Sequence, residues 1–336
     1  MKKVLLLTTG GTIASAKGEE GLSPALSSGV LLRYISDLSQ ACDIKGKDLL
    51  SLDSSNIQAE DWQLVAGAVY NSLEDFDGFV ITHGTNTMAY TSSMLSFMLQ
   101  NLKKPVVLTG SQVPIDYPFS DAKDNLRLAL AAVDSSIHGV TVAFNRKIIN
   151  GCRAVKVRTT GFDAFESVNA PCLGELFPNG LRRFEDFRPE PGERAALRDS
   201  ICPDVFLLKL IPGTRPEVFD MLYSMKYRGI VIEAFGLGGL DYLRRSLLPK
   251  LEMLTENGVP VVVCSQCLYE ASDLSVYEVG RMLLGCGVIS GWDMTTEAAV
   301  TKLMWALGQT DKPGEIRRIF ETNYAGEIDP SNFVSL

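Results

Sequence analysis

The stretch GFVITHGTNTMAYT, residues 78–91, determines the fold class that we predict for the chain. Its apolar run at 79–81 is typical of a central strand that is buried on both faces of a sheet. A polar loop begins at Thr82, and the apolar periodicity that follows from Met88 predicts a helix. In an open α/β sheet, such a unit places its loop at the carboxyl end of the strand, where ligands bind.

Small hydroxyl side chains recur in the loops that follow four predicted strands. The pairs are Thr9 and Thr12, Ser54 and Ser55, Thr85 and Thr87, and Thr109 and Ser111. A single loop of this kind would be explained by helix capping and turn formation. Four in succession, at strand ends that line one crevice, predict a pocket for a small polar ligand held by hydroxyl and backbone N–H groups.

The chain divides into two predicted α/β domains, since its 336 residues exceed the usual size of a single core. Residues 1–185 form the predicted N-terminal domain, and residues 204–336 form the C-terminal domain. Residues 186–203, rich in Pro, Glu and Arg, form the predicted linker.

Strands and helices alternate through both domains. Strands are predicted at 4–8, 49–52, 79–81, 105–109, 140–144, 153–159, 204–211, 229–235, 259–264 and 287–290. Helices are predicted at 28–38, 61–73, 88–99, 122–133, 215–227, 241–257, 275–286 and 296–308. Residues 15–29 are polar and lack apolar periodicity, so an irregular loop is expected there.

Composition argues against several classes of partner. The net charge of −8 gives no basic face for nucleic acid. The apolar run at 4–7 is much shorter than the core of a signal peptide, and no stretch approaches the ~20 apolar residues of a membrane-spanning helix. The seven scattered cysteines fit reduced thiols, so we expect a cytoplasmic protein with neither a membrane nor a nucleic-acid partner.

Histidine is scarce: the chain has only His83 and His138, which excludes a histidine-rich metal site. The glycine patterns of dinucleotide and phosphate loops are absent, so no cofactor is predicted. A threonine nucleophile would need His83, a lysine, a carboxylate or water to remove its proton. Lys156 is flanked by valines, and burial would lower its pKa and free the amine; taken alone, however, solvent exposure is the simpler explanation for this lysine.

Six motifs together resemble the bacterial and archaeal type I L-asparaginases over essentially the whole chain. They are TTGGTIAS (8–15), DSSNIQAEDW (53–62), GFVITHGTNTMAYTSSMLSFML (78–99), TGSQVP (109–114), NGCRAVKVRTTGFDAFES (150–167) and GWDMTTEAAVTKLMWALG (291–308). The resemblance implies a two-domain α/β fold, with a mixed or parallel sheet in a larger N-terminal domain and a doubly wound parallel sheet in a smaller C-terminal one. It also implies a homodimer or homotetramer.

The resemblance implies hydrolysis of L-asparagine to L-aspartate and ammonia, with weaker action on glutamine and without metal or cofactor. Thr12 matches the nucleophilic threonine, Thr85 the second catalytic threonine, and Lys156 the lysine that activates the latter. Substrate-binding roles, including oxyanion donation by backbone N–H groups near both threonines, are expected for Gly11, Ser54, Ser55, Gly84, Asn86 and Ser111.

Two positions depart from the family pattern. Asn86 stands where the family has aspartate, and Leu22 stands where members carry a tyrosine that assists the first threonine. The aspartate pairs with the lysine and receives the substrate's α-ammonium, so an amide would leave two cations without a counter-ion in a desolvated site. We therefore expect impaired activity. Either an introduced substitution or natural drift explains Asn86, and the intact remainder of the site favours the first.

Two other functions remain open. A non-catalytic amino-acid sensor built on this fold would have Asn86 as its signature. The amidase subunit that serves glutaminyl-tRNA synthesis shares this core, but it would carry an extra N-terminal domain before a motif that starts here at Thr9, and the acidic balance disfavours tRNA. Glu270 and Asp273 are candidates for residues that a neighbouring subunit lends to the site.

Overall fold

A computed structural model describes residues 1–18, 21–24, 26–36, 42–135 and 137–332 of the chain. The backbone forms two compact units, Met1–Asp199 and Ser200–Leu336. Among the helices of the described residues, none combines the length and the apolar character needed to cross a membrane.

The described part of the first unit contains fourteen strands and four α-helices. In chain order they are β1 (Lys2–Gly10), β2 (Ser15–Gly18), β3 (Gly21–Pro24), α1 (Ser28–Tyr34), β4 (Cys42–Leu52), α2 (Ala59–Tyr70), β5 (Gly78–Thr82), α3 (Met88–Met98), β6 (Leu99–Gln100), β7 (Pro105–Thr109), α4 (Ala122–Asp134), β8 (Gly139–Phe144), β9 (Lys147–Asn150), β10 (Ala154–Lys156), β11 (Phe165–Ser167), β12 (Gly174–Phe177), β13 (Gly180–Arg183) and β14 (Ala196–Leu197).

Eight of these strands form one mixed sheet in the order β13-β12-β9-β8-β7-β5-β1-β4. β4, β1, β5, β7 and β8 run parallel, and β9, β12 and β13 extend the sheet with antiparallel pairs. After β1 the chain adds β4 on one side and then β5, β7 and β8 on the other. The strand order therefore reverses between β1 and β5, where an open α/β sheet leaves a crevice for ligands.

The central parallel strands are apolar because both faces of the sheet are covered. Every residue of β5 and of β7 is buried. Ten of the eleven residues of α3 are also buried, so the helix that follows the opening stretch belongs to the core. The edge strand β4 instead carries a run of exposed charged residues, which discourages pairing with another chain.

The loops after β1 and β5 meet backbone against backbone, and glycine makes this approach possible. Gly11 has a φ of 79°, and a Cβ atom there would lie 2.3 Å from the backbone nitrogen of Gly84. A Cβ atom at Gly84 would lie 2.5 Å from Oγ of Ser54, in the loop after β4. Three strand-end loops are therefore packed too closely for a side chain at either glycine.

The described part of the second unit contains four strands and five α-helices. They are β15 (Val205–Lys209), α5 (Glu217–Ser224), β16 (Gly229–Ala234), α6 (Leu248–Glu256), β17 (Val261–Ser265), α7 (Glu278–Gly285), β18 (Ile289–Ser290), α8 (Thr296–Gln309) and α9 (Pro313–Glu321). The strands form a parallel sheet in sequential order, with a helix between successive strands. A fully buried ion pair joins Lys302 of α8 to Glu327 at 2.7 Å and holds the C-terminal segment against that helix.

The predicted fold class is confirmed: the first unit has a large mixed sheet and the second a separate four-stranded parallel sheet. The helix predicted at 28–38 ends at Tyr34, and residues 37–38 lie outside the described part of the chain. The short strands β6, β9 and β11 to β14 were not predicted, because runs of two to four residues show too little periodicity. The nine-residue helix α9 was also not predicted.

Several predicted elements are wrong in extent or kind. The strand predicted at 49–52 is the last part of β4, which begins at Cys42. Within 15–29, β2 and β3 pair as an antiparallel ribbon; backbone pairing needs no apolar periodicity, so no local pattern marked it. The strand predicted at 153–159 ends at Lys156, because β11 pairs with only three of its residues. The helix predicted at 241–257 begins at Leu248, next to a proline whose missing N–H suits a first turn.

Substitution of Gly11 tests the contact between the two loops. We expect Gly11→Ala to lower the free energy of unfolding by about 3 kcal/mol, since the new methyl group meets the Gly84 backbone and the residue must keep a positive φ. Gly67→Ala in α2 is the matched control, because that position has open space; it should raise stability by roughly 0.5–1 kcal/mol. Urea denaturation measures the free energy of unfolding of both variants, and equal changes would contradict the close contact between the two loops.

Candidate active site

The predicted site residues lie in loops at one edge of the large sheet. Thr12 opens a 3₁₀ turn after β1, Ser54 and Ser55 lie in a second such turn after β4, and Thr85 follows β5. Thr8 pairs with Thr82 in the register of β1 and β5, and Thr82 pairs with Thr109 in that of β5 and β7. Since these strands are parallel and in register, their loops leave the sheet at the same edge.

Lys156 approaches this edge from outside the sheet, on the short ribbon formed by β10 and β11. Its Nζ donates hydrogen bonds to Oγ1 of Thr85 and to Oδ1 of Asn86, both at 2.8 Å. Partial burial lowers the pKa of Lys156 from its ordinary value, and the nearby Asp53 carboxylate opposes part of that effect. The lysine is therefore paired with a hydroxyl and an amide in surroundings that lower its pKa.

Gln112 completes the surroundings of Thr85. The buried Thr85 hydroxyl donates to Oε1 of Gln112 at 3.3 Å. The Gln112 amide donates in turn to the carbonyls of Thr159 at 3.1 Å and of Gly161 at 3.0 Å. The sequence analysis predicted a substrate-binding role for its neighbour Ser111 and did not identify Gln112; the TGSQVP motif marked the loop, but only the structure shows that Gln112 reaches Thr85.

A carboxylate beneath the loop fixes Gln112. Both oxygens of Asp121 lie 3.0 Å from the backbone nitrogen of Gln112, and one lies 3.1 Å from that of Val113. Burial raises the pKa of Asp121, while these N–H donors and Asn125 lower it. Because a carboxylate accepts these bonds best when ionised, Asp121 ties the β7 loop to the start of α4.

Asn86 bridges two of the loops. Its Oδ1 accepts from Lys156, and its Nδ2 donates to Oγ of Ser55 at 3.3 Å. Asn86 is solvent-exposed, and desolvation of this position by a bound substrate stays a prediction. Exposed charge pairs contribute only about 0.2–1 kcal/mol, so the missing carboxylate matters less here than it would once a substrate covers the site.

The remaining predicted residues mainly hold the loops in place. Ser54 is buried, and its carbonyl accepts from the Thr87 hydroxyl at 2.7 Å. The fully buried Ser111 donates its hydroxyl to the Val113 carbonyl at 2.6 Å. The Gly11 N–H donates to the Leu52 carbonyl at 2.9 Å. Substrate contacts by these residues stay predictions, since each of these groups already has a partner within the protein.

His83 is not placed to act as a base toward Thr85. The ring is 1% exposed, with Nδ1 2.7 Å from the Gly84 carbonyl and Nε2 2.9 Å from Oγ1 of Thr91. Burial lowers the pKa of His83 to about 4, so the imidazole is neutral near pH 7. Both ring nitrogens are therefore occupied beneath the loop.

No group of three or more His, Cys, Asp or Glu side chains within the described residues is arranged to hold a metal ion. Cys264 and Cys267 have Cys-x-x-Cys spacing, but Cys264 is buried, and burial raises the pKa of its thiol to about 12, whereas Cys267 is exposed.

Comparison with known proteins matches both units. The family described as "Asparaginase, N-terminal" matches residues 3–186, and "Glutaminase/Asparaginase C-terminal domain" matches residues 204–320. An L-asparaginase of Thermococcus kodakarensis is 46% identical over 333 residues, covering 98% of this chain and 100% of that protein. A glutamyl-tRNA(Gln) amidotransferase subunit of Pyrococcus abyssi is 38% identical over 342 residues, covering 98% of this chain and 77% of that protein.

Solved structures agree with these sequence matches. The thermostable L-asparaginase of T. kodakarensis superposes with a TM-score of 0.92 at 44% identity, covering 97% of this chain and 99% of that one. L-asparaginase I from Vibrio cholerae superposes with a TM-score of 0.88 at 32% identity, covering 98% and 99% of the two chains.

The buried neutral histidine predicts a specific loss of stability in acid. The pKa of His83 is about 4 in the folded chain, against ~6.5 for an unfolded chain, so below pH 6.5 the unfolded state takes up a proton that the folded state does not. The free energy of unfolding should fall by about 3 kcal/mol from this residue as the pH drops from 6.5 to 4.

Replacement of each histidine isolates this effect. His83→Asn should remove this part of the pH dependence measured by urea denaturation, whereas His138→Asn should retain it. Identical pH slopes in the parent and in His83→Asn would contradict the low pKa.

Proposed function

This chain belongs to the asparaginase family, and on that premise we propose that it hydrolyses the side-chain amide of L-asparagine to L-aspartate and ammonia. The single observation that carries the proposal is the 2.8 Å hydrogen bond between Lys156 Nζ and Thr85 Oγ1, at the carboxyl edge of the sheet. A hydroxyl paired with a lysine of lowered pKa is an arrangement that activates an oxygen nucleophile.

Thr12 is the proposed nucleophile. Its Oγ1 attacks the amide carbon, a C–O bond forms, and the C–N bond breaks as ammonia leaves with the transferred proton. Thr85 and neutral Lys156 relay protons: rotation of the Thr85 hydroxyl turns its proton from Gln112 toward Nζ. Water then attacks the ester, which releases aspartate and restores the Thr12 hydroxyl. The close approach of Gly11 to Gly84 supports this division of roles, because it brings the two loops together.

Backbone N–H groups are the proposed donors to the oxyanion. We assign this role to Thr12 and Thr85 rather than to Gly11, whose N–H donates to Leu52. Such donors act where negative charge develops in the transition state, and removing one typically costs ~10²–10³ in rate.

We expect Asn86 to weaken binding of the substrate's α-ammonium group. Asn86 offers one neutral acceptor oxygen, and Lys156 Nζ already donates a hydrogen bond to it. Asp53 is the carboxylate whose charge acts on Lys156, and its own Oδ1 accepts from the Ser55 N–H at 2.8 Å. As substrate covers the loops, its ammonium would be desolvated without a carboxylate at position 86, so weak binding or slow turnover results.

A homo-oligomer in the cytoplasm is proposed, in keeping with the resemblance to type I enzymes. Large apolar side chains are exposed on the second unit, among them Ile211, Leu243 and Tyr277, which supports a protein contact there. Roles for Glu270 and Asp273 toward a neighbouring subunit stay predictions.

A second candidate function is that of an amidase subunit in a larger assembly. It is favoured by the 38% identity to the glutamyl-tRNA(Gln) amidotransferase subunit of P. abyssi. That function requires glutamine rather than asparagine as the preferred amide, and ammonia release that increases when a partner is present. Robust asparagine hydrolysis by the isolated chain would favour the first function.

Reversion of Asn86 tests the main proposal. Asparagine-dependent ammonia release should be weak in the chain as it stands and should rise at least tenfold in Asn86→Asp, because the carboxylate receives the substrate's ammonium and pairs with Lys156. Asn71→Asp adds the same charge at an exposed position elsewhere in the first unit and should change nothing. Lys156→Met in the Asn86→Asp background should abolish the recovered activity.

The result also separates an enzyme from a sensor. If Asn86→Asp remains folded by circular dichroism but releases no ammonia, the active-site assignment fails. Calorimetry with asparagine then decides the alternative: binding without turnover in both forms supports the amino-acid sensor.

Gln112 provides a second kinetic test. In the Asn86→Asp background, Gln112→Leu should lower kcat about tenfold with little change in KM, since the Thr85 hydroxyl loses the acceptor that orients it. Gln63→Leu is the matched control, because that half-buried amide donates to the Asp199 carbonyl far along the chain from the catalytic threonines. Equal kcat values for the two variants would show that Gln112 has no role in catalysis.

A further inference from the structure

A series of three hydrogen bonds runs from α2 to the peptide group between Gly84 and Thr85. Trp62 Nε1 donates to Oγ1 of Thr91 at 2.9 Å, and that oxygen lies 2.9 Å from His83 Nε2. His83 Nδ1 lies 2.7 Å from the Gly84 carbonyl oxygen. All three side chains are buried, so the series is shielded from water beneath the β5 loop.

The two ends of this hydrogen-bond series determine which nitrogen of His83 carries a proton. An indole N–H only donates and a carbonyl only accepts. His83 must therefore carry its proton on Nδ1, and its Nε2 accepts the single hydroxyl proton of Thr91. Oγ1 of Thr91 uses one lone pair to accept the hydrogen bond from Trp62. Because burial keeps the ring neutral, His83 is the Nδ1–H tautomer.

The bond to Gly84 also fixes the direction of the next N–H. The described backbone has no cis peptide, so the carbonyl of Gly84 and the N–H of Thr85 lie in one planar trans peptide and point in opposite directions. His83 holds that carbonyl toward the buried ring. The N–H of Thr85 consequently points away from the ring.

Glycine at position 84 makes such a restraint necessary. Any other residue there would place its Cβ 2.5 Å from Ser54 Oγ, so the close packing of the loops demands glycine. Glycine leaves the adjoining peptide freer to rotate than any other residue does. A buried donor to its carbonyl removes that freedom without occupying the space that Ser54 needs.

We propose that His83 is a positioning residue that acts through the Gly84 carbonyl and aims the Thr85 N–H at the developing oxyanion. This role rests on the proposed amide hydrolysis, because only an acyl-transfer reaction generates that oxyanion. It differs from the roles of base and metal ligand usual for a histidine, since His83 neither exchanges a proton with the substrate nor touches it.

Kinetics in the Asn86→Asp background test the role. His83→Leu removes the donor and should lower kcat about 10²-fold, the scale expected for an oxyanion donor, with KM changed less than threefold. His83→Asn restores an amide N–H near the position of Nδ1 and should recover at least tenfold of the loss. A folded His83→Leu variant with kcat within threefold of its parent, or an Asn variant no better than the Leu one, overturns the inference.

The state of the ring supplies a readout independent of turnover. Because the chain has only two histidines, ¹⁵N spectra of the imidazoles can be assigned with His138→Asn. His83 should show a protonated Nδ1 and an unprotonated Nε2 from pH 7 down to pH 5. An Nε2–H tautomer, or a doubly protonated ring at pH 6, overturns the inference.

The parent enzyme separates the two possible failures. If Asn86→Asp releases ammonia and His83→Leu matches it, only the positioning role fails. If Asn86→Asp is folded and silent, the proposed function fails, and the positioning role falls with it.

Discussion

The contact between the backbones of Gly11 and Gly84 is the constraint on which the site depends. β1 and β5 are neighbours at the point where the strand order reverses, so their loops diverge over a crevice unless something brings them together. A Cβ atom at Gly11 would lie 2.3 Å from the nitrogen of Gly84, which leaves no room for a side chain. Because the residues after these glycines are Thr12 and Thr85, this contact brings together the two loops that carry the candidate catalytic threonines.

The site lacks one negative charge beside Lys156 that the family pattern implies. Lys156 donates to a hydroxyl and an amide, and its pKa is lowered by burial while Asp53 opposes this. An aspartate in place of Asn86 would add a carboxylate beside the Lys156 amine, which the neutral amide does not supply. Under the proposed function, the missing charge affects binding of the substrate's ammonium, and its cost is greatest where substrate excludes water.

Polar side chains beneath the loops restrict the flexibility that glycine introduces there. Asp121 accepts backbone N–H groups of the β7 loop, and His83 donates to the β5 loop. Each is held by a helix packed against the sheet: α4 begins beside Asp121, and α3 carries Thr91. Core helices thus orient polar groups in the loops, and preorganised dipoles are a general means of stabilising transition-state charge without reorganisation.

Periodicity and motif spacing in the sequence were sufficient for the α/β class, for most strands and helices, and for the loops that hold Thr12, Ser54 and Thr85, because these follow from local pattern and from the rule that parallel strands share an edge. Local pattern says nothing of pairing between segments remote in sequence. Only the tertiary structure paired β2 with β3, placed Gln112 beside Thr85, and brought Lys156 from a separate ribbon. It also exposed Asn86 and buried both nitrogens of His83, since hydrogen-bond partners and solvent access depend on packing across the whole unit.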